Sequence, residues 1–231
     1  MRAVVIGTGR MGRSVQAALD ARGHSIAAMV GSHENAGGAA LVPARLNGVD
    51  VALEFTTPGT APANVARLLA AGIPVVCGTT GWEEQIPSLE ALARARMGAL
   101  LIAANFSIGV HVMLHAARTM AAALRNRPEF EGLIVETHHR AKRDAPSGTG
   151  LAIQRAAREA GGGDLPITSI RAGTVPGTHV LRYEGPFESL TLEHVARDRS
   201  VFGTGAVLAA EWLVGRTGVF SFEDVLFGKR A

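Results

Sequence analysis

Through the N-terminal half of the chain, short runs of consecutive apolar residues alternate with stretches in which apolar residues recur every three or four positions. Ala3–Ile6, Asp50–Phe55, Pro74–Cys77 and Ala99–Ala103 are largely apolar at successive positions, as strands buried on both faces are, and His24–Val30 reads as a further strand. Helical spacing marks Ser14–Ala21, Asn64–Ala71 and Leu89–Arg96, with Gly23 and Gly72 as stops after the first two. Strand and helix in this rhythm predict an α/β fold with a Rossmann-type doubly wound parallel sheet. Ligands of such sheets sit beyond the carboxyl ends of the strands.

After Ser107 the pattern changes. A helix over residues 109–124 precedes a strand, Leu133–Thr137, and a helix, Leu151–Ala160. Three alternating runs follow, Ile167–Arg171, Thr178–Glu184 and Ser189–Ala196, separated by short turns containing Pro176-Gly177 and Gly185-Pro186. They predict a second, α+β domain built on a mixed or antiparallel sheet. A last amphipathic helix, Gly203–Val214, and the segment Phe220–Phe227 are expected to return to the first domain. The organisation read from the sequence is therefore a dinucleotide-binding domain over 1–106, completed by 201–231, and a domain for substrate binding and oligomerisation over 107–200.

Composition narrows the class. The 231 residues are 47% hydrophobic and 19% charged, a globular and not a disordered balance. Cys77 is the single cysteine, which excludes an intramolecular disulfide and fits a reducing compartment; no metal is expected. The chain is expected to carry no secretory signal, because Met1 runs directly into the first strand, and no apolar run reaches the roughly 18 residues of a membrane span. The net charge of +3 is dispersed and aromatics are 5%, which suits a small anionic ligand and not nucleic acid. A cytoplasmic protein without membrane partners is the expectation.

Two stretches carry chemistry. Gly7-Thr8-Gly9-Arg10-Met11-Gly12 lies between the first strand and the first helix. There the spacing has a mechanism: Gly7 permits the turn, Gly9 lets a pyrophosphate approach, and Gly12 lets the helix pack on the strand. About 20 residues further on, an NAD-binding site carries an acid for the ribose 2′-hydroxyl. Gly31 or Ser32 stands in that place, which removes repulsion against a 2′-phosphate. Arg10, Ser32 and His33 are placed to contact one, and Glu34 remains able to act as the acid if the loop curls back. NADPH is expected over NADH.

The second stretch runs from Glu136 to Gly150 and holds His138, His139, Arg140, Lys142, Arg143, Asp144 and Ser147-Gly148-Thr149 in one strand-to-helix loop. Singly these are ordinary surface residues. Together they combine proton-handling groups, cations and a helix N-terminus capped by Ser147, whose free N–H groups at Gly148 and Thr149 suit a carboxylate or phosphate. Cys77 reads as a buried strand thiol, and Asp144 as a turn or ion-pair residue.

With these stretches in hand, the chain resembles the dihydrodipicolinate reductase family. The likeness rests on Gly7–Gly12, Glu54-Phe55 through Thr57, Cys77-Gly78-Thr79-Thr80-Gly81, Ala104-Asn105-Phe106-Ser107-Ile108-Gly109 and the Glu136–Thr149 motif, and it spans essentially the whole chain. The resemblance implies reduction of 4-hydroxy-tetrahydrodipicolinate with NAD(P)H, in the diaminopimelate route to lysine. It implies His138 as proton donor and acceptor, Lys142 as proton donor, and His139, Ser147, Gly148 and Thr149 at the substrate's carboxylates. Gly7–Gly12 would hold the pyrophosphate, while Gly78, Thr79, Thr80, Ala103, Ala104, Asn105 and Phe106 would line the nicotinamide side. A homotetramer is implied too. The residues alone leave open whether His138 or Lys142 gives the proton. Other readings are an amino-acid or aspartate-type NAD(P)-dependent dehydrogenase, or a non-catalytic dinucleotide sensor.

Overall fold

A computed structural model describes residues 1–228. In chain order the elements are β1 (Arg2–Ile6), α1 (Arg10–Ala21), β2 (Ser25–Val30), α2 (Pro43–Leu46), β3 (Val51–Glu54), α3 (Ala61–Ala70), β4 (Val75–Cys77), α4 (Ile86–Ala95) and β5 (Ala99–Ile102). Then come α5 (Ile108–Leu124), β6 (Glu131–His138), α6 (Gly148–Glu159), β7 (Ile167–Arg171), β8 (Gly177–Glu184) and β9 (Ser189–Ala196). The chain closes with α7 (Ser200–Leu213), β10 (Gly218–Phe220) and α8 (Phe222–Phe227). They form two compact units, one from Met1–Ser107 with the chain from Ser200, the other from Ile108–Arg199.

The first unit holds a six-stranded parallel sheet in the order β10-β5-β4-β3-β1-β2. Its strands read as apolar runs because both faces are covered. Val4, Ile6, Ala52, Val75 and Leu100 face one core with Val65, Leu68, Leu69 and Ala93 of α3 and α4. Ala3, Val5, Val51, Leu53, Val76 and Leu101 face the other, with Val15 and Leu19 of α1 and Ala206, Val207 and Ala210 of α7. Glycine allows α7 its close approach: a Cβ on Gly205 would stand 1.8 Å from the Phe106 carbonyl oxygen, and one on Gly203 2.5 Å from that of Ser14. Strand order reverses between β1 and β3, so the loops after those two strands flank the crevice where such sheets bind ligands.

The second unit holds a four-stranded sheet, β7-β6-β8-β9. The β6–β7 pair is parallel and the others antiparallel, so the sheet is mixed. Ile134, Leu181, Ile167 and Leu192 point to the face covered by α5 and α6, where Met113, Ala117, Ile153 and Ala157 complete a core. The register decides which polar groups meet. It places Glu136 opposite His179 and Ser169, and His179 opposite His194. By the two-residue period of a strand, Glu136, His138, His179 and His194 extend the inward row of Ile134, Leu181 and Leu192. The inward face is thus apolar over most of its length and polar at the end where β6 runs out.

Helix starts fall earlier than their apolar periodicity indicates: α1 begins at Arg10, α3 at Ala61, α6 at Gly148 and α7 at Ser200. The first turns of α1, α3 and α6 hold Gly12, Pro62 and Gly148-Thr149-Gly150, which add little to an apolar period. β10, a parallel edge strand on β5, is separated from α8 by Ser221, whose side chain caps α8 in a reciprocal box with Asp224.

Candidate active site

In the first unit β1 ends at Ile6 and the chain turns sharply at Gly7, whose φ of +106° favours glycine. A Cβ there would meet the Phe55 carbonyl oxygen at 2.1 Å, and one on Gly12 would meet the Gly7 oxygen at 1.9 Å. Gly9 differs: a Cβ there would meet no protein atom within 4 Å. Two glycines are therefore demanded by backbone packing, while the third leaves open space at the N-terminus of α1. No side chain caps that end of the helix, so its N–H groups and the positive end of its dipole are left for an anion.

A cavity of about 540 Å³ opens beside this turn. Its lining includes Gly7, Thr8, Gly9, Ser32, Asn35 and Arg67. The Arg67 guanidinium lies against Gly38, where a Cβ would come within 2.3 Å of it. The loop after β2 does curl back: the Glu34 carboxylate accepts from the Gly31 N–H at 2.9 Å. Its Oε2 lies 2.6 Å from where a Cβ on Gly31 would stand. A carboxylate three residues downstream thus fills the space where the usual acid's side chain would start, the arrangement in which Glu34 remains able to act as the acid. Both the cradle and the cavity fit a dinucleotide.

A buried polar network supports the loops from below. Glu54, the last residue of β3, is completely buried, and its carboxylate accepts from Thr79 Oγ1 at 2.6 Å, Asn64 Nδ2 at 3.2 Å, Cys77 Sγ at 3.3 Å and the Thr56 hydroxyl. Asn35 Nδ2 donates to Asn64 Oδ1 at 2.9 Å, and Trp82 Nε1 to the Thr79 carbonyl at 2.7 Å. The loops after β2, β3 and β4 are joined through one acid. Burial, and then Glu54, push the Cys77 thiol well up from its ordinary value, so it is an inert donor.

The other residues expected at the cofactor lie at the start of α1 and beyond the ends of β4 and β5. Arg10 and Met11 form the first turn of α1, Gly78–Thr80 leave β4, and Ala103–Phe106 leave β5. Gly78 is forced by the Phe55 ring, which a Cβ would meet at 2.1 Å. The Phe106 side chain is a core group: it is buried between the Phe55 and Phe222 rings, with centroids 5.8 and 5.3 Å away. Only its backbone is left to face a ligand. Sequence reasoning gave no role to Glu54, although a carboxylate closing an otherwise apolar strand was the available signal. Asn35, Asn64 and Arg67 had none.

In the second unit β6 delivers Glu136 and His138 to one face and the chain then turns through His139–Pro146 into α6. Ser147 is buried and caps that helix, its Oγ accepting from Gly150 N–H at 3.1 Å and lying 3.3 Å from His179 Nε2. Among the described residues no protein group accepts from the N–H groups of Gly148 and Thr149. Lys142 Nζ lies 2.8 Å from both Asp144 oxygens, the ion pair expected of Asp144. His139, Arg140, Gly173 and Thr174 line a concavity at the turn.

His138 itself is nearly buried. Its Nδ1 stands 2.8 Å from Glu136 Oε2, in ion-pair range, although the ring N–H is not aligned on the oxygen. Its ring meets His179 edge-to-face at 5.0 Å, and His179 is followed by His194 at 6.2 Å. Burial lowers the His138 pKa, with the cations of Lys142 and Arg171 in the same direction and Glu136 opposing them. Burial and the neighbouring His138 hold His179 at about 4. Burial also raises the Glu136 carboxyl, but hydrogen bonds from Ser147, Ser169 and Arg171 outweigh it and hold the group at about 2. Glu136, His138 and His179 offer three donor atoms within 4.8 Å of one another. Two ligands of one tetrahedral zinc stand roughly 3.4 Å apart, given bonds of about 2.0–2.2 Å. The 2.8 Å contact is that of a paired acid and imidazole. Glu136, though it opens the stretch, had no role in the sequence reading, and Arg171, His179 and His194 were missed because only strand register brings them to it.

The comparisons with known proteins now bear on both units. Residues 1–106 match the family described as "Dihydrodipicolinate reductase, N-terminus", and residues 109–226 match "Dihydrodipicolinate reductase, C-terminus". The chain belongs to the dihydrodipicolinate reductase family. It is an NAD(P)H-dependent oxidoreductase of lysine biosynthesis by the diaminopimelate route, and the substrate of this family is a small dicarboxylate. A 4-hydroxy-tetrahydrodipicolinate reductase of Natronomonas pharaonis is 36% identical over 251 aligned residues, covering 98% of this chain and 100% of its own. One from Christiangramia forsetii is 32% identical over 244, covering 98% of each. The dipicolinate-bound dihydrodipicolinate reductase from Paenisporosarcina sp. TG-14 shares the fold, with a TM-score of 0.79 over 96% of this chain and 97% of that one at 21% identity. A myo-inositol dehydrogenase from Corynebacterium glutamicum reaches 0.56 over 99% and 93% at 14% identity, a more distant likeness of fold. An aspartate-type dehydrogenase or a non-catalytic sensor is not favoured, because both halves match the reductase family.

Proposed function

We propose that this chain reduces 4-hydroxy-tetrahydrodipicolinate to tetrahydrodipicolinate, with His138 and Lys142 handling the proton and the N-terminus of α6 holding a carboxylate. The observation that carries the reading is the pairing of a nearly buried imidazole with open N–H groups in one loop of the second unit. The bound dinucleotide supplies a hydride. His138, kept largely neutral near pH 7 by burial and flanking cations, is suited to taking up and passing on a proton, a role commonly worth about 10²–10⁴ in rate. Lys142, held by Asp144, is released to a dicarboxylate by exchange of one carboxylate partner for another. His139 and the N–H groups of Gly148 and Thr149 bind the substrate's carboxylates through charge-assisted hydrogen bonds. Ser147 acts by fixing that helix end, since its own polar groups are engaged.

The cofactor is held by Gly7, Thr8, Gly9, Arg10, Met11, Gly12 and Ser32, and by the loops Gly78–Thr80 and Ala103–Phe106. The NADPH preference expected from the sequence is offset by Glu34 and supported by Arg67, so both cofactors are used. The second-unit sheet leaves Ile170 and Val195 exposed at 43% and 54%, which supports its pairing with another copy in a homotetramer, checked by light scattering. Among the described residues no helix is long and apolar enough to cross a membrane; a cytoplasmic location is proposed and is checked by fractionation. The test of the activity is a coupled assay with NADH and NADPH, on the chain and on His138→Ala and Lys142→Ala. Turnover unchanged in both variants would overturn the assignment.

A further inference from the structure

In the second unit the proton chemistry leaves the Glu136 carboxylate unused. Glu136 is wholly buried, and its two oxygens face different partners. Oε1 accepts from the Ser147 N–H at 3.1 Å and from Arg171 Nη2 at 2.7 Å. Oε2 has no hydrogen-bond donor and stands 2.8 Å from His138 Nδ1, a close ion-pair contact in which the ring N–H need only swing onto the oxygen. The acid is thus held from the start of α6 and from β7, while its free oxygen is turned to the imidazole two residues along its own strand. On the far side of the ring, a Cβ at Gly177 of β8 would stand 3.1 Å from His138 Nε2. Glycine keeps that nitrogen uncrowded.

Resting on the reading of His138 as a proton-handling group, we propose that Glu136 is its positioning residue, holding the ring as the Nδ1–H tautomer so that Nε2 exchanges the proton with the substrate. A neutral imidazole has one N–H and one acceptor nitrogen, and an ionised carboxylate only accepts, so the proton belongs on the nitrogen facing Oε2. Arg171 has a double part. It anchors Glu136 by the far oxygen and, with Ser147, keeps that acid ionised, so Glu136 does not itself compete for the proton. The other groups facing the ring are Lys142 and Asp144 from the loop and His179 from β8, itself in ring contact with His194 of β9; none of them offers an oxygen as close to Nδ1.

The experiment is nitrogen-15 NMR of the histidines, with the His138 signal assigned by its loss in His138→Asn. The neutral ring is expected as the Nδ1–H tautomer. Glu136→Gln should mix the tautomers, lower the His138 midpoint and move the alkaline limb of the rate profile to lower pH. Turnover should fall about 10- to 100-fold, less than the about 10²–10⁴ that proton transfer as a whole supplies, with KM for the dicarboxylate unchanged. Arg171→Gln should move the midpoint the opposite way, upward, because a cation facing the ring is lost. A Glu136→Gln protein with reduced stability but unchanged tautomer and midpoint would overturn the proposal. If that variant does not fold, an Nε2–H tautomer in the unaltered protein, or no upward shift in Arg171→Gln, overturns it. The readouts separate the two claims: full turnover in His138→Asn removes the proton-handling role, whereas the NMR result judges Glu136 without any turnover.

Discussion

The Thr79 hydroxyl donates to Glu54 Oε2 at 2.6 Å and accepts from the Thr56 N–H at 2.8 Å. Through this pair the ends of β3 and β4 are tied to one another, and Glu54 becomes the shared acceptor for groups from β3, α3 and β4. Removing one member of a buried network leaves its partners unsatisfied, which costs about 1–3 kcal/mol for each polar group. Thr79→Val is expected to lower stability by roughly that amount, and Glu54→Ala by more. Denaturant midpoints should fall with the slope unchanged, and a fluorescence titration should show weaker NAD(P)H binding in both.

The glycines of the first turn separate by what surrounds them. Gly12→Ala drives a methyl onto the Gly7 carbonyl oxygen, where the space is 1.9 Å, and overpacking of this kind costs typically about 1–3 kcal/mol or more. Gly9→Ala meets nothing in the protein. It is expected to melt near the unaltered protein yet bind NAD(P)H weakly, because its methyl occupies ligand space. Thermal melts with and without cofactor distinguish the two, and a Gly9→Ala protein that binds normally would remove the pyrophosphate assignment.

Cofactor choice is proposed to turn on Glu34 and Arg67: the Glu34 carboxylate accepts from the Gly31 N–H, and Gly31 and Arg67 line one cavity. Glu34→Gln should raise affinity for NADPH relative to NADH, and Arg67→Ala should lower it. Paired titrations of the two cofactors against each variant check the sign, and equal ratios in all three proteins would refute the opposition.

His179 makes stability sensitive to mild acid. Its folded-state pKa of about 4 lies below its ordinary 6.5, so between those values the unfolded chain binds the extra proton. Stability therefore falls as pH drops through about 6.5 and the loss is complete near 4. Its size is roughly 3 kcal/mol, at about 1.36 kcal/mol per pKa unit. Glu136, held at about 2, adds a further loss between about 4.5 and 2. Denaturant unfolding from pH 7 to 4 should show the slope, and His179→Asn should flatten it.

Much of this protein is legible in the sequence because its determinants are local. The α/β rhythm follows from apolar runs such as Val4-Val5-Ile6, whose length and composition already require burial on both faces. The Gly7–Gly12 turn and the Ser147 cap are patterns of neighbouring residues, and local sterics and hydrogen bonding dictate them wherever the chain goes next. The loop holding His138 and Lys142 stands out for the same reason, since its groups are concentrated in one short span.

What the tertiary structure decided is everything that depends on register and on return of the chain. Glu136, His179 and His194 are distant in sequence and become neighbours only because β6, β8 and β9 pair at those positions. Phe106 was assignable to the cofactor from its place after a strand, yet packing between Phe55 and Phe222 commits its ring to the core. Glu34 acquired its meaning only when the loop after β2 folded back on Gly31. A pattern along the chain specifies which residues must be buried or turned; which buried polar groups of separate strands then meet, as Glu136 meets Arg171 and His179, is settled by the pairing of those strands.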